Sequence, residues 1–516
     1  MAIIEFENVG FEYRGGARAL DGLSLRVDAG EFVCVLGSNG SGKSTLAKHV
    51  NALLVPNEGT VRVLGHSTRD ESKVFAVRSA TGFVFQNPDD QIVASIVEDD
   101  VAFGPSNLGL SGDELRARVT HALGQVGLAG FEKAETAALS GGQKQLVAIA
   151  GALAMNPQIL ALDEASAMLD PRGRTALMDV CLDLHAHGLT IIMITHFMEE
   201  AALADRVIVL DGGRIALDGT PREVLTQVER LEELSLEPPF AARASGGRCL
   251  TIGELAAAIE AGEVPPVEPP PARPPVVGAP CALELAGATY EYPAWALRDI
   301  TFDVLEGEFF GIAGHTGSGK STLIQLASGL LKPTAGTARF GKRGDVGVVF
   351  QYPERQLFAA TVFDDVAFGP RNLGLSGVDV EARVAEALAQ VHLDAKELRD
   401  TSPFALSGGM QRRVAIAGVL AMLPHVLIFD EPTAGLDPRS RAALLALVDE
   451  LHAAGRTIVM VSHNMDDLAR LCNRIAILND GRLEAVGTPS EVFANASRLR
   501  EIGLEAPFAH MVARKA

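Results

Sequence analysis

The chain has 516 residues, with 45 basic side chains against 65 acidic ones, a formal net charge of −20 and 47% hydrophobic residues. That balance sets aside a nucleic-acid partner, and no unbroken apolar stretch is long enough to mark a membrane span. The five cysteines (Cys34, Cys181, Cys249, Cys281, Cys472) form no CxxC pair and no metal spacing, as expected of a reduced, cytoplasmic protein.

In chain order, Glu5, Glu7 and Glu12 come first and occupy the place where a signal peptide would carry its apolar core. The apolar run Phe32–Leu36 then reads as a strand entering GSNGSGKST (Gly37, Ser38, Asn39, Gly40, Ser41, Gly42, Lys43, Ser44, Thr45), and Ser44–Val50 reads as the helix leaving it. This is the phosphate-binding pattern GxxxxGK[ST], in which backbone N–H groups wrap a phosphate. The lysine neutralises the β and γ phosphates, and the following serine holds Mg²⁺. A second copy follows Phe309–Ala313 as GHTGSGKST (Gly314, His315, Thr316, Gly317, Ser318, Gly319, Lys320, Ser321, Thr322), with a helix expected over Ser321–Leu330.

The two copies run in step. The offset is 277 residues at the P-loop (37 to 314), 265 at Gln86 and Gln351, and 267 at Glu164 and Glu431. A nearly constant offset means one fold built twice. Between Thr337 and Gln351 the second half is shorter than between Thr60 and Gln86, which implies a trimmed β segment. Half the chain is enough for a full core. From Pro265 to Pro280, eight of sixteen residues are proline, which favours an extended tether. The expected division is therefore a first domain over 1–240, a linker over 241–280 with a short helix at Ala256–Glu260, and a second domain over 281–516.

Further motifs follow each P-loop in fixed order. LSGGQ (Leu139, Ser140, Gly141, Gly142, Gln143) and LSGGM (Leu406, Ser407, Gly408, Gly409, Met410) each open an apolar-rich helix, whose first amides and dipole suit an anion. The strands Ile159–Leu162 and Val426–Phe429 end in Asp163–Glu164 and Asp430–Glu431. The first carboxylate of each pair can hold Mg²⁺ through water, and the second can orient or deprotonate an attacking water. Asp170 and Asp437 follow, and His196 and His463 close another strand, placed to contact a γ-phosphate. Singly, each has an ordinary reading as a turn, a solvated acid or a structural histidine. Repeated in the same order in both halves, they read as one machine.

Both halves resemble the nucleotide-binding domain of ATP-binding-cassette (ABC) proteins. The resemblance implies an α/β fold of two tandem P-loop domains. Each would have a RecA-like core, an antiparallel β subdomain and a helical subdomain. It implies ATP and Mg²⁺ as ligands, with Tyr13 and Tyr292 stacking on adenine. It places Gln86 and Gln351 at the Q-loop, touching Mg²⁺ beside Ser44, Asp163, Ser321 and Asp430, and sensing a transmembrane partner. It also implies head-to-tail pairing of the two domains within one chain, each P-loop facing the other domain's signature.

QNPDDQIVASIVEDDVAFGPSNLGL from Gln86 and QYPERQLFAATVFDDVAFGPRNLGL from Gln351 are similar to energy-coupling-factor (ECF) transporter ATPases, as are the tails RLEELSLEPPF and RLREIGLEAPF. The chain looks like two such ATPases fused. This implies uptake of a vitamin or transition-metal ion with a membrane T component and a substrate-binding S component, at the cytoplasmic face of the membrane. Two alternatives stand beside it: the fused ATPase of a sugar importer, and a soluble two-cassette translation factor. The sequence departs from the family at Met410, at Leu146 (Arg413 in the second half) and at Ala165–Ser166 (Pro432–Thr433 in the second half). Asp89, Asp90 and Glu354 are expected to meet arginines of the T component. Glu98–Asp100 and Asp364–Asp365 are expected to form a solvated helix face.

Overall fold

The computed structural model describes residues 2–167, 169, 171–292, 294–340 and 346–513. The chain divides between Val267 and Glu268 into two compact units.

The first unit contains β1 (Ala2–Glu12), β2 (Arg18–Asp28), β3 (Phe32–Gly37), β4 (Glu58–Val63), β5 (His66–Ser67), β6 (Thr81–Val84), β7 (Ile159–Asp163), β8 (Thr190–Ile194), β9 (Arg206–Asp211) and β10 (Arg214–Gly219). Six of them form a sheet in the order β10-β9-β3-β8-β7-β6, parallel except for the β9–β10 hairpin. Every residue of β3, β6, β7 and β8 is buried. Strands covered on both faces need apolar residues throughout, which is why these segments read as continuous runs and not as alternation. Successive residues still face opposite ways. Phe32, Cys34 and Leu36 belong to one core with Leu123 and Ile149, whereas Val33 and Val35 belong to another with Ile4, Leu46 and Val50. The second core is closed by the antiparallel sheet β2-β1-β4-β5. Between β6 and β7 the chain makes a helical layer from Val97–Asn107, Gly112–Gln125 and Gly141–Ala154.

The second unit repeats this plan with β11 (Cys281–Tyr292), β12 (Ala294–Leu305), β13 (Phe309–Gly314), β14 (Ala335–Phe340), β15 (Val346–Val349), β16 (Val426–Asp430), β17 (Thr457–Val461), β18 (Arg474–Asn479) and β19 (Arg482–Gly487). Its main sheet runs β15-β16-β17-β13-β18-β19, and among the described residues its antiparallel sheet runs β12-β11-β14. The first unit has β5 and the helix Glu71–Ala80 where the second has only residues 341–345, which lie outside the described residues.

Two expected bounds differ. The helix after the second P-loop is Lys320–Ala327, not continuing to Leu330; Gly329, at φ 73°, takes the left-handed conformation that ends helices. The span 241–280 is not all tether. Phe240–Ser245 and Ile252–Glu260 are helices of the first unit, the latter capped by Thr251 and burying Leu255, Ala256 and Ile259. Beyond Glu268 the proline-rich chain lies on the second unit. Arg273 pairs with Asp449 and donates to His452 Nδ1 at 2.8 Å, and Asn473 Nδ2 donates to the Pro274 carbonyl at 2.7 Å. No helix among the described residues is long and apolar enough to cross a membrane.

Candidate nucleotide sites

In the first unit β3 delivers the chain into the P-loop, and Gly42, at φ 104°, turns it into the helix Lys43–Val50. A Cβ at Gly42 would lie 2.4 Å from the Ala19 carbonyl oxygen, so only glycine fits there. Buried Lys43 curls across the loop and donates from Nζ to the carbonyls of Gly37 (2.7 Å) and Ser38 (2.9 Å). Lys320 makes the same pair of bonds to Gly314 (2.7 Å) and His315 (3.0 Å). Among the described residues the buried hydroxyls of Ser41 and Ser318 find no hydrogen-bond partner. Tyr13, 40% exposed, leans over the loop with its hydroxyl 3.0 Å from Thr45 Oγ1.

The carboxylate pair sits at the end of β7. Ser44 Oγ donates to Asp163 Oδ1 at 2.8 Å. Glu164 follows in left-handed backbone, φ 53°, as does Glu431 at φ 44°. A glutamate pays a conformational penalty there, and the turn persists only because neighbours over-determine it. It aims the side chain back at the P-loop face. Gln86 Nε2 donates to Glu164 Oε2 at 2.8 Å, and His196 Nε2 lies 2.7 Å from Oε1. The imidazole expected on a γ-phosphate thus rests on the glutamate. In the second unit the same groups are looser: Gln351 Nε2 is 3.4 Å and His463 Nδ1 3.3 Å from Glu431 Oε2, with Lys320 Nζ 4.0 Å from Oε1.

Burial pushes the Glu164 carboxyl up, but the His196 hydrogen bond and the charges of His196 and Lys43 outweigh it and leave it below its ordinary value. Glu431 is lowered in the same way by His463 and Lys320. Both are ionised at neutral pH, the state a water-orienting base needs. The aspartates go the other way. Burial raises Asp163, opposed chiefly by the Ser44 hydrogen bond. Burial and the adjacent Glu431 charge push Asp430 up to about 6.

Among the described residues no cluster of three or more His, Cys, Asp or Glu could cage a metal ion. Mg²⁺ does not need one, since it binds through one or two protein oxygens plus phosphate oxygens and water. The Ser44–Asp163 pair beside Lys43 fits that donor set. With Mg²⁺ bound, the ion would screen phosphate charge.

The signature serines lie at the N-termini of Gly141–Ala154 and Gly408–Leu420. Ser140 and Gln143 form a capping box, with Ser140 Oγ accepting from the Gln143 amide (3.2 Å) and Gln143 Oε1 from the Ser140 amide (3.0 Å). Ser407 has no side-chain cap bond, and Gln411 Nε2 turns instead to the Leu406 carbonyl at 3.1 Å. Asp437 caps its own helix through Ser440, whose amide donates at 2.9 Å. Asp170 and the Tyr292 side chain, both expected at the sites, lie outside the described residues.

Several acids beyond the Q-loops differ from expectation. Asp100 is not solvated: it is buried and accepts from the amides of Val93 (2.7 Å) and Ala94 (2.9 Å). Asp365 accepts from Phe358 and Ala359, both at 2.9 Å. Glu354 is not open to a partner's arginine, because Arg412 of this chain grips both its oxygens at 3.1 Å. Asp89 pairs with Lys144. Asp90 stands exposed.

The ABC transporter family model matches residues 20–167 and 297–434. The chain belongs to the ABC transporter ATP-binding family. It is a duplicated ABC ATPase. A protein of Caldanaerobacter subterraneus subsp. tengcongensis, provisionally named ABC transporter ATP-binding protein, is 36% identical over 524 residues, covering 95% of this chain and 91% of that one. One of the same provisional name from Bifidobacterium longum is 38% identical over 91% of this chain, which spans only 64% of that relative's length. An energy-coupling factor transporter ATP-binding protein of Symbiobacterium thermophilum is 54% identical over 228 residues, 44% of this chain and 79% of that one.

Proposed function

We propose that this chain is the fused ATPase of an ECF-type importer. In this reading it drives uptake of a vitamin or a transition-metal ion from the cytoplasmic face of the membrane, with a T component and an S component. One observation carries the coupling. Beside each Q-loop an equivalent apolar pair stands in solvent: Val93 (62% exposed) with Phe103 (55%) in the first unit, Phe358 (60%) with Phe368 (50%) in the second. The second pair packs edge to face at 4.9 Å. Large apolar side chains left exposed at equivalent places in both copies suit a protein partner. Asp100 and Asp365 hold the backbone beneath them, so each patch is braced against the helical layer.

In each unit Glu164 or Glu431 orients the attacking water and takes its proton. His196 or His463 and Gln86 or Gln351 hold that carboxylate, and Lys43 or Lys320 meets phosphate charge. Two experiments test the reading. Glu164→Gln with Glu431→Gln is expected to keep ATP binding while lowering hydrolysis by ~10²–10⁴-fold; parental turnover would end the assignment. Asp90→Lys together with Phe358→Ser is expected to abolish co-purification with a membrane T component and leave ATP binding intact. Undiminished co-purification and uptake would rule out these patches as the docking surface.

A further inference from the structure

The turn after Glu431 is held by a side chain from elsewhere in the unit. Arg412, on the helix opened by LSGGM, is buried. Its Nε and Nη2 donate to Glu354 Oε2 and Oε1, each at 3.1 Å. Its Nη1 donates to the Pro432 carbonyl at 3.0 Å and reaches the Ala434 carbonyl at 3.4 Å, which Nη2 also approaches at 3.5 Å. One planar, always-charged group therefore joins three segments: the Q-loop turn Pro353–Gln356, the signature helix, and the backbone directly following the glutamate. On the other side the Glu431 amide donates to Val461 at 2.9 Å. The left-handed residue is thus pinned before and after its Cα.

The first unit does this differently. Gln145 stands at the place of Arg412, fully buried; its Nε2 donates to the Phe85 carbonyl at 3.2 Å, and its Oε1 has no hydrogen-bond partner among the described residues. The turn after Glu164 is instead tied through Ser166 Oγ, which donates to buried Glu200 at 2.9 Å; Glu200 also accepts from Thr195 beside His196. Among the described residues, a side-chain link from signature helix to post-glutamate backbone exists in the second unit alone.

We propose that Arg412 is a positioning residue for Glu431, transmitting the placement of the Q-loop turn to the carboxylate that handles water. The proposal rests on the reading of Glu431 as the water-orienting base. A shift of the Q-loop turn moves Glu354, and the guanidinium, with every bond direction fixed, carries that shift to the carbonyls of Pro432 and Ala434. Lysine cannot replace it, because a point charge on a flexible stem holds one partner and not a plane of them.

The test uses the full chain in a Glu164→Gln background, with kcat, KM for Mg·ATP and Tm read together. Arg412→Gln is expected to lower kcat roughly tenfold or more, as misplacement of a reacting group does, with KM within about twofold. A triple variant (Glu354→Asp, Gln411→Lys, Arg412→Gln) rebuilds the first unit's Asp89–Lys144 pair. It is expected to recover Tm while kcat stays low, and Arg412→Lys is expected to resemble it. If the triple variant recovers kcat along with Tm, Arg412 is only a brace and the proposal fails. Unchanged kcat in Arg412→Gln also overturns it. Where the single variant does not fold, the triple variant decides alone. Adding Glu431→Gln to the same background separates the two ideas: parental turnover there refutes the base assignment itself, whatever Arg412 does.

Discussion

The acid three places after each Q-loop glutamine is tied to the signature helix in both units, but by cations one helix position apart. In the first unit Asp89, 63% exposed, meets Lys144 at the surface. In the second, Glu354 meets Arg412, whose side chain is only 6% exposed. One position along a helix is a turn of about 100°, enough to carry the cation from a partly exposed place, 21% at Lys144, to a buried one. The neighbours have adjusted to match: neutral Gln145 occupies the buried place in the first unit, and Gln411 the outer place in the second. Duplication has preserved the connection between segments and not the residues that make it. The same holds after Glu164 and Glu431, where Glu200 accepts from Ser166 and Thr195 while Asp467 pairs with Arg441 at 2.8 Å.

The largest difference should lie in the histidines, since His196 is 2.7 Å from Glu164 and His463 is 3.3 Å from Glu431. His196→Ala in a Glu431→Gln background is expected to lower kcat by about 10²-fold. His463→Ala in a Glu164→Gln background should lower it several-fold less. The pH profile gives the sign. Without His196, burial prevails and the Glu164 carboxyl rises, so the base is lost at higher pH as acid is added. The acid limb of kcat should therefore move upward in pH. Equal losses from the two histidines would break the comparison.

The ion pairs come next. Removing one partner of a buried pair costs ~3–5 kcal/mol, and exposed pairs contribute ~0–1 kcal/mol. Glu354 is a quarter exposed and regains some water, so Arg412→Ala is expected to destabilise the second unit by roughly 2–3 kcal/mol. Lys144→Ala should change the first by under about 1 kcal/mol. Denaturant unfolding with each unit followed separately checks both values. A Lys144→Ala loss as large as that of Arg412→Ala would mean that exposure does not set the difference.

Much of the site was legible because its signals are local. A P-loop declares itself by glycines that no other residue can replace, and a buried parallel strand by an unbroken apolar run ending in Asp-Glu. What escaped were contacts between distant segments. Nothing near Glu354 announces Arg412, 58 residues away. Asp100 and Asp365 look like surface acids on an acidic helix, yet they turn inward to cap amides of the preceding loop. The helix Ile252–Glu260 was half readable: its C-terminal half is the expected short helix Ala256–Glu260, while its start, marked by Thr251 with Glu254 as an N-terminal cap signal, was assigned to the linker.

The smallest effect concerns the signature helices and isolates one side chain. Gln143 closes a reciprocal box with Ser140, satisfying two amides that would otherwise face only water. Met410 stands at the same place, and a thioether neither donates nor accepts strongly enough to reach the Ser407 amide. A helix-cap side chain contributes ~0.5–2 kcal/mol, and the third-position side chain adds its own bond to the N-cap amide. Met410→Gln is thus expected to stabilise the second unit by roughly 0.5 kcal/mol, and Gln143→Met to destabilise the first by about as much. Amide hydrogen exchange over Ser407–Gln411 reads this directly, because a formed box slows the Ser407 and Met410-position amides and leaves those further along the helix alone. A uniform change along Gly408–Leu420 would mean that the substitution acts through burial against the hydrophobic core of the second unit, on which Met410 also packs, and that the two signatures differ in packing and not in their caps.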